Sequence, residues 1–113
     1  MIPFKNRFHG HNSLRYVYKN GQAVRCRLLT IKLISNPHRK ESRIAVVISK
    51  KVLKSAVRRN RIRRRIYEYA RIKMASLKKP YDIVFIISSS ELLTMPYADI
   101  VKQLDQLFEQ TEI

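Results

Sequence analysis

The stretch SKKVLKSAVRRNRIRRRIYEYAR (49–71) decides the fold, because it carries most of the longest helical pattern in the chain. Over about 54–78, apolar residues recur at the three- and four-residue spacing of an α-helix. Pro80 closes this pattern, since proline cannot continue a helix. The stripe predicts one long helix that packs on a sheet through Ile62, Ile66, Ala70, Met74 and Leu77.

The flanking segments predict a small sheet and two further helices. Residues 23–35 begin with alternating apolar and charged residues and are rich in β-formers, which predicts one strand. RIAVVIS (43–49) and YDIVFIIS (81–88) are nearly continuous apolar runs, typical of buried strands. Amphipathic helices are predicted at 12–21 and 97–110. The order α-β-β-α-β-α predicts an α+β fold, a single α-β sandwich with an Arg-rich central helix on a small sheet.

The charge indicates a polyanionic partner. The 113 residues carry a net charge of +16, which opposes compaction by self-repulsion. Residues 1–79 hold 23 of the 24 lysines and arginines and only two acids, whereas residues 80–113 hold six acids and Lys102 alone. We therefore expect 1–113 to form a single RNA-binding domain, in which 1–11 are a flexible basic N-terminus and the acidic tail faces away from the polyanion.

The cysteine count and the apolar runs indicate a cytoplasmic location. Cys26 is the only cysteine, so no internal disulfide can form, which suits a reducing compartment. The first residues do not resemble a secretory signal, and no apolar stretch has membrane-spanning length.

The basic stretch 50–65 is the predicted interface. Cations at a helix N-terminus oppose the macrodipole, so the arrangement costs stability and indicates a function. Arginine forks and free helix N–H groups suit phosphate, and an asparagine can fix neighbouring side chains or read a base edge. We expect Arg59 to have a free guanidinium and Arg61, Arg64 and Arg65 to point to solvent. The predicted RNA-binding residues are Lys50, Lys51, Lys54, Arg58, Arg59, Asn60, Arg61, Arg63, Arg64 and Arg65.

The same stretch resembles the signature of the bacterial ribonuclease P protein subunit. The pattern AVxRNRIxR begins at Ala56 and follows SKK at 49–51, and the similarity runs over about 7–108. The resemblance implies a fold like ribosomal protein S5 domain 2, with a left-handed β-α-β crossover. It implies a subunit of an endoribonuclease (a ribonucleoprotein hydrolase) whose RNA subunit performs catalysis. No catalytic residue is expected in the protein, which alone should be inactive.

The resemblance also implies partners and further site residues. The partners are the catalytic RNA and precursor tRNA, whose 5′ leader is removed, and the cofactor is Mg²⁺ held mainly by the RNA. No membrane or protein partner is implied. The leader would lie in a cleft between the N-terminal helix and the sheet, lined by Leu14, Val17, Tyr18 and Lys32. Leu14 and Lys32 stand where aromatic residues are common in the family.

Two further departures from the family concern basic residues. Ser88 or Ser89 replaces a usual basic residue after the last strand. Tyr67 replaces a common arginine, for which Arg65 is the candidate to compensate.

The alternatives are a self-sufficient nuclease, a pure RNA-binding module and a DNA-binding helix-turn-helix. A nuclease needs converging carboxylates, whereas the acids are concentrated in the tail. His9 and His11 have no evident third ligand, so no metal site is predicted in the protein. A helix-turn-helix is disfavoured because the basic helix lies between two strands. A ribosomal protein or an RNA chaperone remains the alternative that composition leaves open.

Overall fold

The computed structural model describes residues 11–37 and 40–111. The predicted flexible N-terminus, apart from His11, lies outside the described residues. The elements are α1 (His11–Asn20), β1 (Gln22–Arg25), β2 (Leu29–Ser35), β3 (Arg43–Ile48), α2 (Ala56–Ala75), β4 (Tyr81–Ile87), a 3₁₀ turn (Ser90–Leu93) and α3 (Tyr97–Glu109).

The strands form one mixed sheet in the order β1-β2-β4-β3. The β1–β2 and β2–β4 pairs are antiparallel, whereas β3 and β4 are parallel and are connected through α2. The α+β class is therefore confirmed, and the left-handedness of the crossover stays a prediction.

The predicted single strand over 23–35 is wrong, because the chain turns at 26–28 and forms a hairpin of β1 and β2. Neither glycine nor proline marks this turn in the sequence. Tertiary contacts fix it instead: Leu28 is buried, and its carbonyl accepts hydrogen bonds from the backbone N–H groups of Ser88 and Ser89 at 2.9 and 3.1 Å.

The helices cover opposite faces of the sheet. Ile83, Phe85 and Ile87 of β4 belong to the main core with α2 and α3, whereas Val84 belongs to a smaller cluster with Val17 of α1. Alternate residues of a strand point to opposite faces, so α1 packs on one side and α2 and α3 on the other. The nearly continuous apolar runs of β3 and β4 have this physical cause.

Gly21 allows the close approach of α1 to the sheet. A Cβ atom at this position would lie 2.6 Å from the carbonyl oxygen of Val17 and 3.0 Å from that of Leu33. The Gly21 N–H donates to the same Val17 oxygen at 2.8 Å. The missing side chain thus sets the distance between the end of α1 and β2.

Candidate nucleic-acid interface

The basic helix α2 begins after Ser55, which caps it. The Ser55 hydroxyl accepts a hydrogen bond from the backbone N–H of Arg58 at 3.2 Å. The serine cap is uncharged, and no acidic residue stands in the first turn of α2. Nothing in this turn therefore offsets the repulsion between the helix dipole and the arginines. The N-terminal half of α2 is therefore strongly electropositive.

The Arg59 guanidinium is not free, and the expectation that it would be is wrong. Its Nη1 donates to the carbonyl oxygens of Leu53 and Lys54 at 2.9 and 2.7 Å. The helical wheel puts Arg59 in line with the buried stripe, and the loop before α2 supplies carbonyl groups there. Arg59 thus fixes the loop that carries Lys50, Lys51 and Lys54.

Asn60 orients a neighbouring arginine. Its Oδ1 accepts a hydrogen bond from Nη1 of Arg63 at 2.9 Å, and Nε of Arg63 lies 3.5 Å from the carbonyl oxygen of Val46 on β3. The second distance is at the weak limit for a hydrogen bond. The asparagine between the arginines therefore positions Arg63 over the sheet edge.

Arg65 does not point to solvent as expected. Its guanidinium donates to the carbonyl oxygens of Leu92 and Leu93 at 2.9 Å each, and also to that of Met95. Arg65 is half-buried and holds the 3₁₀ turn against α2. This position is incompatible with the suggestion that it compensates for the arginine missing at Tyr67.

Six of the ten predicted RNA-binding side chains are exposed and have no hydrogen-bond or ion-pair partner within 11–37 and 40–111. Three lie on the loop before α2 and three on its first turns, so they form one continuous surface. We call this surface the basic ridge; its residues are Lys50, Lys51, Lys54, Arg58, Arg61 and Arg64.

The predicted cleft lies on the opposite face of the sheet, beside α1. Lys32 Nζ donates to the carbonyl oxygen of Tyr18 at 3.0 Å and lies 5.4 Å from the centroid of its ring. Burial raises the pKa of the Tyr18 phenol above its usual value. Lys32 thus brings a positive charge and an aromatic ring together at the cleft.

The other two cleft residues differ in exposure. Leu14 is partly exposed and packs on the smaller core cluster, whereas Val17 is fully buried and has no surface for a ligand. The sequence reasoning missed three partly exposed residues that pack on the same cluster and could form the floor of such a cleft, Ile34, Val47 and Ile86. Strand alternation within the apolar runs could have identified them.

The acid in β4 is structural. Asp82 is buried and accepts hydrogen bonds from Arg43 at 2.8 and 3.0 Å and from Asn36 at 2.9 Å. Within the described ranges, no three His, Cys, Asp or Glu residues are grouped so that they could hold a metal ion. His9 and the side chain of His11 lie outside the described residues.

Comparisons with known proteins identify the family. The family model for ribonuclease P matches residues 2–112. This chain belongs to the ribonuclease P protein family. The ribonuclease P protein component of Clostridioides difficile is 38% identical over 90% of this chain and 88% of its own length. That of a Synechococcus species is 31% identical over 100% of this chain and 86% of its own length.

Solved structures of the family share the fold. The ribonuclease P protein of Staphylococcus aureus superposes with a TM-score of 0.81 at 24% identity, covering 96% of each chain. The Thermotoga maritima protein gives 0.79 at 23% identity, covering 95% of this chain and 98% of its own. The predicted role as the protein subunit of ribonuclease P, a tRNA-processing enzyme, is confirmed by the family match and the curated relatives. Separately, none of the helices in the described part of the chain is long and apolar enough to cross a membrane.

Proposed function

We propose that this subunit binds the catalytic RNA of ribonuclease P through the basic ridge and the 5′ leader of precursor tRNA through the cleft beside α1. It thereby aids the endonucleolytic cut that produces the mature 5′ end of tRNA. The observation that carries the proposal is the unpartnered state of the six ridge cations. A cation without a protein partner gives up no hydrogen bond or ion pair within the protein when it binds a phosphate, so phosphate binding is most favourable there.

The other predicted residues act on the ridge rather than within it. Arg59 holds the loop that presents the three lysines, and Asn60 orients Arg63. Arg63 remains an RNA contact in the proposal because its guanidinium is only partly occupied. Arg65 supports the 3₁₀ turn and leaves the proposed contact set.

The cleft suits a single strand of RNA. Tyr18 offers an aromatic face, Lys32 a charge for phosphate, and the aliphatic floor offers apolar contact to bases. Because the sheet separates the cleft from the ridge, the two RNAs would approach from different sides without competing. Leu14 in place of an aromatic residue leaves stacking to Tyr18.

The chemistry is assigned to the RNA subunit. Mg²⁺ would be held mainly by that RNA, and the proposal routes no step through protein carboxylates because the buried Asp82 is already committed to Arg43. A cytoplasmic location follows from the substrate.

The test is reconstitution at low Mg²⁺, where the RNA alone is nearly inactive. The protein, a bacterial ribonuclease P RNA and a 5′-labelled precursor tRNA should together release the leader, and the protein alone should not. The variant Arg61→Gln/Arg64→Gln should require a higher protein concentration for half-maximal cleavage. Tight RNA binding without any stimulation of cleavage would refute the proposal and favour a generic RNA-binding module.

A further inference from the structure

A second basic surface lies at the far end of α2 from the basic ridge. An open cleft of about 350 Å³ lies between the end of α2, the turn before β4 and residues 40–42 before β3. Four basic side chains and one acidic side chain line it: Lys40, Arg71, Lys78, Lys79 and Glu41. We call this feature the distal cleft.

Most of its positive charge is available to a ligand. Lys40 and Lys78 are exposed and have no side-chain hydrogen-bond or ion-pair partner in the described part of the chain. Lys79 lies 5.5 Å from the centroid of the Tyr81 ring, a contact that leaves its ammonium charge uncompensated. Arg71 is the exception, since Glu68 accepts a hydrogen bond from it at 2.5 Å.

A favourable interaction with the C-terminal end of the α2 dipole does not explain why these basic residues cluster here. Cations near a helix C-terminus stabilise it, but this effect is confined to the last turn. Lys73 already occupies the last turn of α2 and lies 4.9 Å from the centroid of the Phe108 ring. Lys78 and Lys79 lie beyond the helix, and Lys40 belongs to a different loop.

The outward face of α2 connects the distal cleft to the basic ridge. Arg64 and Arg71 are seven residues apart, which is about two helical turns, so they share a face. Glu68 lies between them, and its negative charge is compensated by the ion pair with Arg71. The rise from Arg61 to Arg71 is about 15 Å, and no unpaired acid interrupts this path.

We propose that the distal cleft binds the sugar-phosphate backbone of the catalytic RNA, as a second contact beyond the basic ridge. This inference rests on the proposed function, because it takes the ridge as the first contact. The catalytic RNA is favoured over the leader because the distal cleft is continuous with α2, whereas the leader cleft lies beside α1 across the sheet. An open, basic surface is suited to an RNA backbone, whereas a small ligand usually binds in an enclosed pocket.

The test compares Lys78→Gln with Lys102→Gln. Both lysines are exposed and have no described side-chain partner, but Lys102 lies on α3, outside the distal cleft. Binding of each full-length variant to the ribonuclease P RNA is measured over a range of salt concentrations, without substrate. Lys78→Gln should weaken binding about fivefold near 0.15 M salt and lower the slope of log affinity against log salt by about one. Lys102→Gln should change neither.

The double variant Lys40→Gln/Lys78→Gln extends the test. It should weaken binding about ten- to thirtyfold and lower the slope by about two, with an unchanged thermal midpoint. Unchanged RNA affinity would overturn the inference. So would an effect confined to the KM for precursor tRNA, since the distal cleft would then bind substrate.

A parallel measurement on Arg61→Gln/Arg64→Gln separates this inference from the proposed function. If that variant weakens RNA binding while the distal variants do not, only the distal contact is refuted. If neither weakens it, the proposed function itself fails.

Discussion

Lys32 of β2 and Tyr18 of α1 are joined across the cleft, with Nζ 3.0 Å from the Tyr18 carbonyl oxygen and 5.4 Å from its ring centroid. The lysine therefore ties the helix to the sheet and supplies the positive charge of the cleft. The two residues thus bring a positive charge and an aromatic ring together in one pair.

The variant Lys32→Met should weaken binding of precursor tRNA to the holoenzyme about fivefold, because one charge-assisted phosphate contact is worth about 1 kcal/mol. Binding of mature tRNA, which lacks a leader, should be unchanged. Direct binding measurements with both RNAs check this, with Lys102→Met on α3 as the control. Equal losses for both RNAs would show that Lys32 does not act on the leader.

Arg64 and Arg65 are neighbours in sequence with opposite expected roles. Arg65→Gln removes a guanidinium that serves the carbonyl groups of Leu92, Leu93 and Met95, so the free energy of unfolding should fall by about 2–3 kcal/mol. Arg64→Gln removes an exposed side chain and should change stability by less than about 0.5 kcal/mol.

The RNA affinity of the two variants should show the reverse order. Arg64→Gln should weaken binding of the catalytic RNA about fivefold near 0.15 M salt, since it removes one phosphate contact. Arg65→Gln should retain near wild-type affinity under conditions where it is folded. Urea denaturation and RNA titration of both proteins provide the comparison, and a stable Arg65 variant with impaired binding would contradict these roles.

The sequence pattern predicted elements whose signal is local. The helical stripe of Ile62, Ile66 and Ala70 lies buried as expected, and the apolar runs at 43–49 and 81–88 are strands. The turn at 26–28 could not be predicted, because contacts from residues about sixty positions later fix it. Local periodicity carries no information about such partners.

The site shows the same limit at the level of single side chains. The helical wheel separates the outward Arg61 and Arg64 from the core, and both are exposed. The helical wheel does not show that Arg59 and Arg65 lie next to backbone carbonyl groups. Those carbonyl groups belong to the loop before α2 and to the 3₁₀ turn, which are not part of the helix. Whether an arginine binds RNA or protein depends on unpaired backbone groups that only the fold brings near.

The ion pair between Arg43 and Asp82 should be essential to the parallel strand pair. The two residues face each other in the register of β3 and β4, and both side chains are largely buried. Asp82→Asn removes the carboxylate charge from this largely buried ion pair and should lower the free energy of unfolding by about 3 kcal/mol. Glu91→Gln removes the exposed ion pair with Arg27 and should leave the denaturation midpoint unchanged. Equal effects of the two variants would show that burial does not set the strength of these pairs.

Tyr69 should make the folded state sensitive to high pH. Its hydroxyl donates to Asp105 Oδ1 at 2.6 Å, and burial, this hydrogen bond and the aspartate charge raise the pKa of the Tyr69 phenol. Above about pH 10 an unfolded chain releases this proton while the folded chain keeps it, so the folded state binds more protons and loses stability as pH rises. Below pH 10 the phenol is protonated in both states and its contribution is constant.

Tyr69→Phe should therefore flatten the fall in unfolding free energy above pH 10 by up to about 1.4 kcal/mol per pH unit. Tyr16→Phe, at a side chain that is 59% exposed, should retain the wild-type slope, and parallel curves for all three proteins would exclude Tyr69 as the source.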